Sequence, residues 1–289
     1  MILAITGASG FIGQRLVDVA LRRGHEVVAF TRNTSLQIPG CEMRPWTATP
    51  NLAGCDAVIH LAGESVMGLW TTAKKRRIAD SRILGTRALV AAINSMAHPP
   101  EVLVSGSAIG FYGNRGEEKL TESSPPGSGF LADTSLAWER EALKASATRV
   151  VLLRTSLVLG HNGGALGPLA PLFRTGLGGP ISTGRQWMSW IHLEDHIRLT
   201  LFAVENLDVR GPLNASAPWP VRNEEFTRTL AASLRRPAFL RVPAWALRPL
   251  GDFRHELLDS KRVLPEVAST QGFGFQFPEL GPALRNLLG

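Results

Sequence analysis

The sequence predicts an α/β protein: a doubly wound parallel sheet with a smaller, interleaved C-terminal lobe. Three observations predict it. Through the first half, short apolar runs alternate with longer helical stretches, the pattern of βαβ units. Several of those runs are near-continuous Val, Ile and Leu, as in strands covered on both faces. The first run leads directly into Thr6-Gly7-Ala8-Ser9-Gly10-Phe11-Ile12-Gly13, a glycine-punctuated turn that opens a helix.

Strands are expected at Ile2–Thr6, Glu26–Thr31, Ala57–Leu61, Glu101–Ser105 and Arg149–Thr155. Helices are expected between them at Phe11–Arg23, Thr72–Ala97 and about Phe130–Ser146. Gly24 ends the first helix as a cap, and His25-Glu26 leads into the second strand. From Gly160 to Gly184 the chain is rich in Gly and Pro with little periodicity, so a long irregular segment is expected there. Within it, His161-Asn162-Gly163-Gly164 reads as a lid or a simple loop. A further unit begins near Gly211. A strand near Asn214 is expected to return to the sheet, helical pieces follow near Asn223–Leu234 and Pro243–Leu250, and an aromatic stretch runs over Gly272–Pro278.

At 289 residues the chain suits one large α/β domain, or one domain with a smaller lobe. With 44% hydrophobic and 19% charged residues it reads as an ordinary globular protein and not a disordered one. The cysteines, Cys41 and Cys55, form neither a CxxC motif nor a disulfide framework, so a cytoplasmic location is expected. The five apolar residues at the start are too few for a signal peptide, and no run approaches the roughly 20 apolar residues of a membrane span. A formal charge of +7 favours anionic partners, yet the basic residues are scattered. Their densest cluster, Lys74-Lys75-Arg76-Arg77, lacks interleaved aromatics and reads as a solvated helix face. A small-molecule substrate is therefore expected, with no nucleic-acid or membrane partner. Histidine and cysteine spacing suggests no metal set.

A strand followed by Gly7-x-x-Gly10-x-x-Gly13 and a helix is a phosphate-binding turn of the Rossmann type. Glycine lets the backbone turn tightly and lets a pyrophosphate approach, while the helix start directs free N–H groups and its positive dipole end at that phosphate. At the end of the second strand stand Thr31-Arg32-Asn33, with no carboxylate to hold a ribose 2′-hydroxyl. An arginine there accepts a 2′-phosphate, so NADP(H) is favoured over NAD. Residues 1–159 are accordingly read as the NADP-binding domain. Residues 160–289 are read as a substrate lobe and C-terminal segment that partly returns to the sheet.

The glycine spacing, together with His60-Leu61-Ala62-Gly63 at a later strand end, resembles the extended short-chain dehydrogenase/reductases. Further segments narrow the resemblance: Ser81-Arg82, Gly176-Leu177-Gly178-Gly179-Pro180, and the run from Gly184 through Gln186-Trp187-Met188-Ser189-Trp190 to His192. Asn214-Ala215-Ser216-Ala217-Pro218 and Arg235-Arg236-Pro237-Ala238 add to it. Together they are similar to an atypical, epimerase-like family often labelled nucleoside-diphosphate-sugar epimerase, with its own C-terminal segment. That resemblance implies cofactor contacts from Gly7, Gly10, Phe11, Ile12 and Gly13 at the phosphates. It implies Thr31 and Arg32 at the adenosine phosphate, and Leu61, Ala62 and Gly63 on the adenosine side. Arg82 would reach a cofactor hydroxyl or phosphate, or else form a helix-surface ion pair, and Leu157 and Val158 would lie by the nicotinamide.

The superfamily's usual proton chemistry needs a Tyr with a Lys four residues on. This chain has one tyrosine, Tyr112, and Gly116 stands four residues later. Aligning Leu131-Ala132-Asp133-Thr134-Ser135 with the family's helix puts Leu131 at the Tyr place and Ser135 at the Lys place. Neither titrates near neutral pH, so that mechanism is excluded. Ser107 matches the superfamily serine that bonds a substrate oxygen. Tyr112 and His192 are the other candidates for proton transfer, and Gln186, Trp187 and Trp190 for substrate contact. Asp195 or Glu194 is expected to cap the helix after His192. Two readings stay open: an NADP(H)-dependent oxidoreductase or epimerase-like enzyme of unknown substrate, or a non-catalytic NADP(H)-binding or redox-sensing protein.

Overall fold

The structure, a computed structural model, describes residues 1–33, 35–161 and 163–289. Asn162, within the segment read as a lid or a simple loop, lies outside them. The first half runs β1 (Ile2–Thr6), α1 (Phe11–Arg22), β2 (Glu26–Thr31), β3 (Cys41–Pro45), β4 (Ala57–His60), α2 (Thr72–Asn94) and β5 (Val102–Ala108). A 3-10 turn over Ile109–Tyr112 follows, then β6 (Lys119–Leu120), α3 (Phe130–Ala142) and β7 (Arg149–Thr155). Next come β8 (Leu157–Gly160), β9 (Gly163–Gly164), α4 (Leu166–Arg174), β10 (Trp187–Met188), β11 (Trp190–His192) and α5 (Leu193–Glu205). The remainder is β12 (Gly211–Ala215), β13 (Val221–Arg222), α6 (Asn223–Ser233), a 3-10 stretch over Ala244–Phe253, α7 (Arg254–Leu258), β14 (Arg262–Val263), α8 (Glu266–Thr270) and α9 (Leu280–Leu288).

Seven strands form one parallel sheet in the order β12-β7-β5-β4-β1-β2-β3. Leu3 sits between Val27 of β2 and Ala57 of β4, which fixes the register at the sheet centre. The strand order reverses between β1 and β4, so the crevice at their carboxyl ends is where a ligand finds room. Side-chain alternation explains the two covered faces. Leu3 and Ile5 of β1 point to the side of α1 and α5, packing with Leu16, Val17, Ile197 and Leu201. Ala4 points to the other side, with Leu89, Val90 and Ile93 of α2. The lobe has its own core, in which Leu159, Phe173, Trp190, Phe226, Leu230 and Leu284 meet.

β1, β2 and β7 have the bounds expected from the sequence, and β12 returns to the sheet beside β7. β5 runs on to Ala108, α2 and α3 end early at Asn94 and Ala142, the piece expected near Pro243–Leu250 is a 3-10 stretch, and two larger features differ. β3 joins the sheet edge although Cys-Glu-Met-Arg-Pro does not read as a strand; an edge position tolerates its charged residues and its terminal proline. The segment expected to be irregular contains β9 and α4, with Pro171 inside the helix. Leu166, Ala170 and Phe173 form a buried stripe at helical spacing there, and that burial overrides the poor propensity of Gly and Pro.

Polar contacts tie distant segments together. Arg15 of α1 forks onto Glu194 of α5 at 2.6 and 2.8 Å. The buried Asp195 accepts the backbone N–H groups of Gln276 and Phe277, both at 2.8 Å, and so anchors the aromatic tail. Among the described residues no helix is long and apolar enough to cross a membrane.

Candidate functional site

The glycine turn is closed by direct contact between strands. Gly7 has φ +75°, a left-handed conformation that side chains resist, and a Cβ there would stand 2.9 Å from Ala62 N. A Cβ on Gly13 would stand 2.1 Å from Gly7 O, so α1 lies directly on the turn. Gly10 caps α1 with extended backbone and no side-chain cap, and the first turn carries no acidic residue. The amides at the start of α1 therefore face the crevice without a protein side chain to satisfy them, the arrangement that suits a pyrophosphate. Phe11 contributes through its backbone, because its ring packs on the β8–β9 hairpin; a Cβ at Gly163 would stand 2.3 Å from that ring.

Thr6 joins the two central strands at the crevice floor. Its Oγ1 bonds His60 Nδ1 at 2.7 Å and accepts Ala62 N–H at 3.2 Å, while its carbonyl accepts Leu61 N–H at 3.2 Å. Leu61 and Ala62 thus lie directly against Gly7. Burial pushes His60 down to about 4, so the ring is neutral, and Trp46 stacks on it at 5.9 Å between centroids. Trp46 also donates its backbone N–H to Thr31 O at 2.8 Å, placing an indole beside the end of β2. No sequence signal had marked it.

At that end of β2, Thr31 Oγ1 accepts Asn33 N–H at 3.0 Å and holds the turn. Arg32 is exposed and forms no hydrogen bond or ion pair with any described residue, so its guanidinium is open to an incoming phosphate. Arg82, expected to reach the cofactor or form a surface ion pair, is largely committed elsewhere. It donates to Glu64 O at 2.9 Å and Ile78 O at 3.1 Å, lies over Trp138, and presses on Gly63, where a Cβ would stand 3.3 Å from its Cζ. Burial pulls it down to about 10, which leaves it charged at neutral pH. With Ser81, which holds Glu64 N–H at 2.9 Å, it braces the 61–64 segment against α2. The turn, the open helix start and Arg32 fit a dinucleotide that carries an extra phosphate.

Beyond the crevice, β5 carries Ser107 into a buried polar chain. Ser107 Oγ donates to Glu139 Oε1 at 2.6 Å, and Arg154 forks onto the same carboxylate from Nε and Nη2, both at 2.8 Å. Arg154 Nη1 donates to Tyr112 Oη at 2.9 Å, and Tyr112 donates to Asn214 Oδ1 at 2.7 Å. Glu139 sits in α3 two turns after Leu131, and Arg154 is the buried charged residue of β7, whose other arginine, Arg149, stands at the start of the strand. Leu157 of β8 donates its N–H to Ser189 O at 3.2 Å, which ties the expected nicotinamide side to the residue that follows β10, the strand that carries Trp187.

Several expected site residues are corrected. Tyr112 is fully buried, its hydroxyl is taken by Asn214 and Arg154, and burial pushes its pKa up to about 12; it has no opening toward a substrate. His192 is buried, stacks on Phe277 at 3.9 Å, and uses Nδ1 to accept Glu194 N–H as the N-cap of α5. The cap expected from Asp195 or Glu194 thus comes from the histidine itself. Burial also holds His192 below its usual range. Gln186 donates to Ile181 O and Leu257 O and braces the lobe from inside. Trp190 is fully buried in the lobe core. Trp187 alone of those three is half-buried, at a surface crowded with arginines.

The basic run on α2 is balanced locally. Lys74 pairs with Glu64, Lys75 with Asp252, and Arg76 with Asp80, so it presents no continuous cationic stripe.

Residues 3–215 match the model of the NAD dependent epimerase/dehydratase family, and residues 242–287 match a domain of unknown function, DUF1731. The chain is 37% identical to the epimerase family protein YfhF of Bacillus subtilis, covering 100% of this chain and 98% of that one. It is also 37% identical to the chloroplastic SDR39U1 homolog of Arabidopsis thaliana, covering 100% of this chain and 87% of that one. A crystal structure of the human epimerase family protein SDR39U1, solved with NADPH, superposes with a TM-score of 0.93 at 34% identity over 100% of this chain and 99% of that one. The glycine turn, the strand order and the C-terminal segment are thus those of a known group, and the chain belongs to the NAD dependent epimerase/dehydratase family.

Proposed function

We propose that this protein is an NADP(H)-dependent oxidoreductase or epimerase-like enzyme that handles the substrate proton without a Tyr–Lys pair. The observation that carries the cofactor is Arg32, exposed and without a partner among the described residues at the end of β2, together with the uncapped start of α1. The human relative solved with NADPH supports the same reading. Gly7, Gly10 and the amides of Phe11, Ile12 and Gly13 hold the pyrophosphate, Arg32 the 2′-phosphate, and Leu61 to Gly63 with Trp46 the adenosine side. Leu157 and Val158 border the nicotinamide, which when bound supplies hydride exchange.

Ser107 is the group left for the proton. Ser107 is itself buried, but its hydroxyl hydrogen is directed at Glu139, so its lone pairs are without a donor among the described residues. As that hydroxyl becomes a carbonyl, its proton passes to Ser107 Oγ and the serine's own proton passes to Glu139. Arg154 remains as the fixed counter-charge. Ser107→Ala is expected to lower kcat by about 100-fold while leaving NADPH affinity unchanged.

Calorimetry tests the cofactor. Arg32→Ala is expected to weaken NADPH binding about 10- to 100-fold and leave NADH unchanged, the loss of a charge-assisted phosphate contact. Equal NADPH affinity in wild type and variant overturns the assignment. The second reading, a non-catalytic NADP(H)-binding or redox-sensing protein, is favoured by Leu131 and Ser135 at the Tyr and Lys places and by the burial of Tyr112. A panel of sugar nucleotides and small carbonyl compounds separates the two: NADPH that binds tightly yet is never oxidised selects the second.

A further inference from the structure

The half-buried Trp187 lies between two guanidinium groups. Arg222 and Arg262 each have Cζ 4.3 Å from its ring centroid. The two are not equivalent. Arg222 forks onto Glu117, both contacts at 2.7 Å, and Glu117 also accepts Trp187 Nε1–H at 2.9 Å. Glu117 is pulled down to about 2, chiefly by the Arg222 fork, so this carboxylate stays charged and matched to its arginine. Arg262 has no such partner: none of its nitrogens meets an acceptor among the described residues, and its Nε is buried without one. A buried donor left without an acceptor is costly, and native proteins retain few of them.

The surrounding backbone holds Arg262 in that position. Lys261 donates its N–H to Trp187 O at 3.1 Å, and Trp187 donates its own to Ser260 Oγ at 3.0 Å. Ser189 Oγ accepts Val263 N–H and donates to Lys261 O, both at 2.8 Å. Four hydrogen bonds thus clamp the 260–263 segment along residues 187–189. The flanking Val263 points into an apolar cluster with Phe111, Tyr112 and Leu120, and alternation turns Arg262 the other way, onto the indole. Its Nη groups, unlike Nε, are not among the buried unpartnered atoms and reach solvent. The result is a planar fork, preset on an aromatic platform, beside a carboxylate whose hydrogen bonds go to Arg222 and Trp187 and not to Arg262.

We infer that Arg262, laid on Trp187, is an oxyanion-binding residue that receives a phosphate or carboxylate group of the substrate. The inference rests on the oxidoreductase reading for the word substrate. Ser189, two residues after Trp187, accepts the N–H of Leu157 at 3.2 Å, which ties the segment that holds this platform to the expected nicotinamide side.

The test uses the full chain saturated with NADPH, so that the cofactor's phosphate sites are filled, titrated with inorganic phosphate in one arm and acetate in the other. One-to-one binding of at least one anion is expected, and the stronger arm identifies which group the fork takes. Arg262→Gln is expected to weaken it at least tenfold, and Arg262→Lys to fall between, keeping the charge but losing the fork. Arg228→Gln, which removes an exposed charge from α6, serves as the control and is expected to leave binding unchanged. NADPH affinity within twofold of wild type in each variant reports that the fold is intact. No binding in either arm, binding by Arg262→Gln within twofold of wild type, or equal weakening in Arg228→Gln overturns the assignment. If NADPH itself fails to bind, the cofactor reading falls; the wild-type and Arg262→Gln comparison still decides the anion site.

Discussion

Gly13→Ala is expected to abolish measurable NADPH binding, a loss beyond 100-fold, with stability lower by about 1–3 kcal/mol. The new methyl would stand 2.1 Å from Gly7 O and 2.8 Å from Ala8 Cα, both backbone atoms, so no side chain can rotate to make room. Either α1 lifts from the turn or the turn opens, and each movement takes the helix-start amides off the pyrophosphate. Gly85→Ala is the internal control. It lies in α2 with nothing within 4 Å of an added Cβ, so it should gain about 0.5–1 kcal/mol and bind NADPH normally. Calorimetry with urea unfolding reads both quantities. NADPH binding by Gly13→Ala within tenfold of wild type would falsify the placement of the phosphate.

Arg154→Met is expected to cost about 3–5 kcal/mol, because it strands the Glu139 carboxylate in the interior. The side chains of that pair are 4% and 5% exposed, so water cannot stand in for the lost partner. Tm should fall by roughly 5–10 °C. Glu139→Gln in the same chain removes the stranded charge, so the double variant should be more stable than the sum of the two single changes by at least about 1 kcal/mol. Additive losses would mean that the two residues do not act as a pair.

The parts of the fold legible in the sequence are those whose physics is local. β1, β2 and β7 are covered on both faces, so their composition alone marks them, and the glycine turn names its own ligand through conformations that only glycine supplies. β3 was hidden because an edge strand satisfies half of its backbone with solvent and can carry Glu42, Arg44 and Pro45. α4 was hidden because its glycine and prolines argue against a helix, while the stripe that holds it there acts through Leu159, Trp190 and Phe226. The candidate site divides in the same way. Arg32 was legible from its place after a strand. The Ser107–Glu139–Arg154 chain was not, since β5, α3 and β7 converge only when the sheet closes. Tyr112 and His192 have suitable chemistry, but Tyr112 is already held by Asn214 and Arg154 and His192 is already the cap of α5; such partners are a tertiary property that composition does not carry.

The tail anchored by Asp195 has a consequence for synthesis. Phe273 packs in the same core as Leu3 and Leu16, and β12 completes the sheet only after residue 211. Folding order during translation is therefore constrained. The nascent N-terminal half can form βαβ units as it emerges, yet it carries an open sheet edge until β12 is added and an incompletely covered apolar face until Phe273 docks. That interval, rather than the finished molecule, is when this protein is most exposed to aggregation and has most use for a chaperone.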